Sequence, residues 1–195
     1  MGAGSEDRQR AAATETVVER FPAGEAAAEL KAGYIVLTHG THWTSKLIRF
    51  GQGLRFRGAR HDFAKWNHVA LVLDADGEIG EALSQGVVRE NLSKYKEREY
   101  HLVKVECSQE DREQIAAFAA AVLDSPKRTK YGWLTIASLF FTLAFGSTIM
   151  IGKIGTAICS GFASEALVRT GAILPRPPAY MMPADVAEHF GVGDE

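Results

Sequence analysis

"NHVALVLDADGEIGEALSQGVVRE", residues 67–90, decides the fold class. An apolar run reaches Asp-Ala-Asp-Gly at 74–77, resumes as a second short apolar stretch, and starts a third after Gly86. Asp-Gly between apolar runs is hairpin chemistry: the Asp side chain bonds the backbone ahead of it, and Gly accepts the positive φ of a tight turn. Three consecutive antiparallel strands are predicted. "YHLVKVEC" (100–107) alternates and adds a strand, and "LKAGYIVLTHG" (30–40) supplies a short β run after its Gly.

Helices flank this β region. "WTSKLIRFGQGLRF" (43–56) reads as a short helix capped by Thr44 or Ser45, with Leu47, Ile48 and Phe50 as its face and Gly51 as its stop. "SQEDREQIAAFAAAVLD" places Ser108 and Asp111 at capping-box spacing ahead of Ile115, Phe118, Ala119, Val122 and Leu123 on one face, and Pro126 ends it. A further helix is predicted from Cys159 to a cap at Gly171, and "ADVAEHF" closes the chain as a short helix after a Pro-rich wrap. Residues 1–28, Ala-rich and charged, read as a helical or disordered N-terminal extension. The expected class is α+β in one domain of 29–195.

Composition narrows the function. Apolar residues make up 46% and charged residues 24% of 195, a globular balance, and a net charge of −2 removes the broad attraction to phosphate backbones that nucleic-acid binding requires. No nucleic-acid partner is expected. Two cysteines, Cys107 and Cys159, form neither a disulfide framework nor a zinc spacing, so no metal is expected. The N-terminus lacks the apolar core of a secretory signal, and Glu6 stands where a myristoylation motif needs Ser or Thr. Residues 133–151 are uncharged and about as long as a bilayer span, though Thr135, Ser138, Thr142, Gly146, Ser147 and Thr148 dilute them; a buried hairpin or helix pair is the other reading. The expected location is the cytoplasm, with membrane contact through 133–151 as the further option.

Cys159 stands at a helix start, where unpaired N–H groups and the positive end of the helix dipole favour thiolate over thiol. The small Ser160 and Gly161 give close access to N–H groups able to hold an oxyanion. A small buried hydrophobe is the competing reading of the same residue. Among the six histidines, His68 opens an apolar strand directly after Trp66 and Asn67, at the rim of a rigid element that can position a general base. A core histidine satisfied by a backbone carbonyl is its alternative. Glu81 is an acid inside the apolar "IGEAL" and is the candidate to accept the second imidazole N–H, unless it faces solvent from an edge strand.

"WNHVALVLD", "EIGEALSQGV", "KYGW" and "ICSGFASEALVRTG", in that order, resemble the circularly permuted branch of the NlpC/P60 papain-like superfamily, which includes the YiiX-like proteins and, more distantly, the lecithin:retinol acyltransferase-like enzymes. In that branch the His strand precedes the Cys helix, as here. "LKAGYIVLTHGTHWTSKLIR" is similar to its opening segment, with Tyr34 where Asp is usual. The resemblance covers roughly residues 30–190. It implies a central antiparallel sheet or half-barrel packed against helices, with the nucleophile helix C-terminal to the sheet. It also implies Cys159 as nucleophile, His68 as general base, Glu81 as the polar third member and Tyr131 lining the site; Ser160, Gly161, Asn67 and Trp66 are the other expected substrate- or oxyanion-binding residues. The implied activity is cysteine-dependent hydrolysis or acyl transfer without a cofactor, on a peptide-like amide of the peptidoglycan type or on an acyl lipid. A binding module that keeps the fold without turnover is the competing class. Cys107 is expected to be a structural thiol at a strand end.

Overall fold

The computed structural model describes residues 16–40, 43–83, 86–124, 159–169, 171–172 and 174–193. Six strands, β1 (Val17–Phe21), β2 (Ile35–Thr38), β3 (His68–Val72), β4 (Glu78–Leu83), β5 (Gly86–Asn91) and β6 (Tyr100–Lys104), form one sheet. Their order is β1-β6-β2-β3-β4-β5, with every pairing antiparallel. Helices α1 (Trp43–Arg55), α2 (Gln109–Leu123), α3 (Cys159–Val168) and α4 (Pro183–His189) complete an α+β fold, joined by short 3-10 turns at Gly58–Lys65, Leu92–Tyr95 and Pro178–Tyr180.

The β3–β4 turn forms for the reason its residues suggest. Asp74 Oδ1 accepts the N–H groups of Asp76 and Glu78, both at 2.9 Å, and Gly77 takes φ +83°. Ser108 and Asp111 make the expected capping box at the start of α2.

Alternation along the strands sorts their side chains to two buried faces. On one, Ile35, Leu37, Val69, Leu71 and Val103 meet Ile115 and Ala119 of α2, Phe162, Ala163 and Leu167 of α3, and Val186 of α4. On the other, Tyr34, Val36, Ala70, Val72, Tyr100 and Leu102 are covered by Leu92 and Tyr95 and by Phe21, Ala27 and Leu30. Burial on both faces makes β2 and β3 continuous apolar runs. Each fully buried Leu, Ile or Val contributes roughly 1.5–3 kcal/mol, so this two-sided core supplies the stability that holds the strand ends in place.

Two expectations are corrected. The 1–28 segment is not simply a helical or disordered extension: Val17–Phe21 is the edge strand β1, in register with Tyr100–Lys104 of β6. Its charged Glu19 and Arg20 suit an edge, and Phe21 stacks on Tyr100 at 5.0 Å. Residues 1–15 lie outside the described residues. Nor does Gly51 stop α1. Between Gly51 and Gly53 the buried Gln52 donates to the carbonyls of Ala64 (3.1 Å) and Trp66 (2.8 Å) and accepts from the Ala184 N–H (3.0 Å). Those three buried bonds carry the helix through two poor helix formers.

Candidate active site

Three elements meet where β3 begins. His68 and Glu81 lie on the same face of adjacent strands, one step diagonal, because Ala70 is the residue directly opposite Glu81. His68 Nε2 donates to Glu81 Oε2 at 2.5 Å, and the Glu81 side chain is fully buried. The helix carrying Cys159 packs on the opposite face of the sheet, through Phe162, Ala163 and Leu167.

The sulfur reaches His68 because the β3–β4 ladder ends early. Its last pair is Ala70 with Glu81, although β3 starts two residues earlier and β4 runs two residues further. Beyond that pair each strand keeps only its outer neighbour: His68 and Val69 pair with Thr38 and Leu37, while Ala82 and Leu83 pair with Val87 and Gly86. Val72 bonds to the β2 side, with its N–H on Tyr34 O (2.8 Å), and Leu73 donates to Glu78 on the β4 side (2.8 Å). By alternation the Val69 N–H also turns toward β4, where no described strand receives it. The Cys159 sulfur accepts it instead, together with the N–H of Ser160 and a hydrogen bond from His68. With Nε2 on Glu81, the bond to sulfur falls to the other ring nitrogen.

The N-terminus of α3 is fixed from behind. Ser160 Oγ donates to the Met181 carbonyl at 2.6 Å, and a Cβ on Gly161 would stand 3.2 Å from the Pro178 carbonyl oxygen. On the β4 side, a Cβ on Gly80 would meet the Phe162 ring at 2.9 Å. Gly80 therefore sets how close the helix carrying Cys159 comes to the Glu81 strand.

Electrostatics follow from these contacts. Burial alone pushes the Cys159 thiol up, but the His68 hydrogen bond and charge, with the two backbone N–H donors, hold it below its ordinary value. Burial likewise opposes the charged form of His68, yet its bonds to Cys159 and Glu81 raise it to about 9. Glu81, against its own desolvation, is held at about 2 by hydrogen bonds from His68, Lys94 and Tyr95. The directions agree: each contact favours a proton on the imidazole and negative charge on the sulfur and the carboxylate that flank it. Such an arrangement can supply a nucleophile together with a group able to carry its proton.

Not every expected residue is at the sulfur. Trp66 is fully buried, donates to the Val192 carbonyl at 2.7 Å and stacks on His39 at 4.6 Å, so its ring belongs to the core and not to a substrate surface. Asn67 spends its amide on Gly40, accepting the N–H at 2.5 Å and donating to the carbonyl at 3.3 Å, and acts as a clamp on the loop after β2. The Ser160 hydroxyl is committed to Met181; its backbone N–H is what faces the sulfur. Tyr131 and residues 133–151 lie outside the described residues. His101 packs edge-on against Trp66, and His189 lies against Phe190. Burial pushes the Cys107 thiol up.

Sequence reasoning missed Lys94 and Tyr95. The Tyr95 hydroxyl donates to Glu81 Oε2 at 2.6 Å, and the Lys94 ammonium bonds Oε1. The signal was present in "NLSKY", where the Asn91 side chain caps the 3-10 turn by accepting the Ser93 N–H at 2.9 Å. Its target depended on the β4–β5 register.

No protein-family model matches the chain, and no curated protein matches it. Among the described residues no helix is long and apolar enough to cross a membrane, and no group of three His, Cys, Asp or Glu side chains is placed to hold a metal.

Proposed function

We infer that the chain is a cysteine-dependent hydrolase or acyl-transfer enzyme with a permuted papain-like fold of the NlpC/P60 type. The observation that carries this reading is the hydrogen-bonded row Cys159–His68–Glu81, with the sulfur between a helix start and the Val69 N–H that the β3–β4 ladder leaves to it. The succession of His strand, Glu strand and Cys helix along the chain supports the permuted arrangement.

In this reading the Cys159 thiolate attacks a carbonyl carbon, and the oxyanion that forms is met by N–H groups in the first turn of α3. The tetrahedral intermediate collapses as His68 gives its proton to the departing amine, leaving a thioester on Cys159 and a neutral imidazole. Water or another acceptor then gives a proton to His68 and attacks the thioester, which returns the sulfur as thiolate and His68 as imidazolium. Glu81 holds the imidazole by one nitrogen throughout, so the other stays aimed at the sulfur. A proton donor that is still charged near neutrality suits a poor leaving group such as an amine, which favours a peptide-like amide as substrate.

Intact-mass measurement after exposure to a pool of peptide amides and acyl esters tests the reading. A covalent acyl adduct on Cys159, absent from Cys159→Ser, is expected from the amide donors. Adducts from acyl esters alone would move the substrate class to lipids, and no adduct from either would remove the enzyme reading in favour of a binding module.

A further inference from the structure

The Glu81 carboxylate is fully buried yet reaches the surface through one side chain. Its Oε2 is saturated by His68 and Tyr95 from inside, and its Oε1 is bonded by Lys94, whose side chain is one-third exposed. Lys94 rises from the 3-10 turn that follows β5, a turn tied down by the Leu92 N–H on the Gly77 carbonyl at 2.8 Å. The ammonium also lies 5.5 Å above the Tyr95 ring centroid and 3.9 Å from Glu90.

Four charges thus alternate along one line from solvent to nucleophile: ammonium, carboxylate, imidazolium, thiolate. We propose that Lys94 is a positioning residue of this site, clamping the outer oxygen of Glu81 and, through that carboxylate, setting the pH range over which His68 stays protonated. The proposal rests on the Cys159–His68–Glu81 reading.

Its physical content has a definite sign. A fixed positive charge beyond the carboxylate offsets part of the negative potential that Glu81 imposes on the ring, so Lys94 opposes protonation of His68 while favouring the anion on Cys159. Removing it favours every proton in the row, and both limbs of a pH profile move toward alkali. A residue acting only by packing would change amplitude or stability and leave the limbs where they were. Among the described residues, the ionisable groups around His68 are Cys159 from α3, Glu81 from β4, and Lys94 and Tyr95 from the 3-10 turn. Glu90 of β5 and Arg98 act at one remove, on Lys94 and Tyr95 respectively.

The test compares the full chain with Lys94→Gln, Lys94→Met and Lys94→Arg, all in a Cys107→Ser background and checked for folding by circular dichroism. His68 is titrated through its ring carbon-bound proton resonance, assigned by its loss in His68→Gln, and Cys159 through its rate of alkylation by iodoacetate. In Lys94→Gln and Lys94→Met the His68 midpoint is expected to rise by about one pH unit, as for a unit charge removed at partly screened short range. The acid limb of alkylation is expected to move the same way, so that the rate below that limb falls about 10-fold, while Lys94→Arg keeps both limbs in place. A His68 midpoint that stays fixed or falls in the folded neutral variants overturns the proposal. A midpoint that rises while wild-type Cys159 stays inert in acid supports the role of Lys94 and removes the nucleophile reading, so the two failures are told apart.

Discussion

Replacing Glu81 by Gln removes one charge from a fully buried position and leaves the volume almost unchanged. The carboxylate falls from an ordinary 4.5 to about 2 in the folded chain. At about 1.36 kcal/mol per pH unit this is roughly 3 kcal/mol of stability near pH 7. Gln cannot recover it: if its carbonyl accepts from His68, its NH2 faces the Lys94 ammonium, donor against donor. Because the folded value lies below the unfolded one, the contribution is present above about pH 4.5 and is lost as the pH falls toward 2. The gap between wild type and Glu81→Gln is therefore expected to shrink from roughly 3 kcal/mol at pH 7 to roughly 1 kcal/mol at pH 3. Urea unfolding at the two pH values measures it, and turnover at pH 7 is expected to drop by about 10²-fold in the folded variant because the imidazole loses its anionic anchor. A gap that stays constant or widens in acid would refute the reasoning, since Glu81 would then contribute by packing and not as a buried anion.

Cys159→Ser is expected to abolish labelling by iodoacetamide at mildly acidic pH, and Cys107→Ser to leave it intact, because burial raises one thiol while His68 and two N–H donors lower the other; equal labelling of both, read by peptide mass mapping, would contradict the activation. Gly80→Ala forces a Cβ to within 2.9 Å of the buried Phe162 ring. It should cost about 1–3 kcal/mol by thermal unfolding and slow Cys159 alkylation by shifting α3; unchanged alkylation would mean that Gly80 does not set the approach of the helix. Asn67→Leu strips Gly40 of both its amide contacts and should cost about 1–3 kcal/mol, with the Cys159 alkylation rate retained, since the clamp does not touch the sulfur.

The central meander was legible because its turn chemistry and strand composition are local: Asp74 and Gly77 define the hairpin whatever the rest of the chain does. The α2 capping box was legible for the same reason. What escaped depends on distant partners. Val17–Phe21 becomes a strand only because β6 offers an open edge, and α1 survives Gly51 only because Gln52 finds acceptors and a donor 12 to 132 residues away. At the site, Cys159, His68 and Glu81 stood out as residue types at odds with their apolar surroundings. Lys94 and Tyr95 did not, since charged and aromatic residues in a surface turn are ordinary until the β5 register aims them at Glu81. Trp66 and Asn67 misled for the converse reason: their neighbourhood to His68 in sequence puts Trp66 into the core and turns the Asn67 amide to Gly40.

The charge state of sulfur 159 can be read directly from the ultraviolet absorbance of the thiolate, as the difference between the protein and its Cys159→Ser variant across pH 4 to 10. The account predicts a thiolate signal that develops at lower pH than an ordinary thiol's and that shifts toward alkali when His68 is replaced by Gln. A signal that emerges only near pH 9, unchanged by the loss of His68, would contradict it.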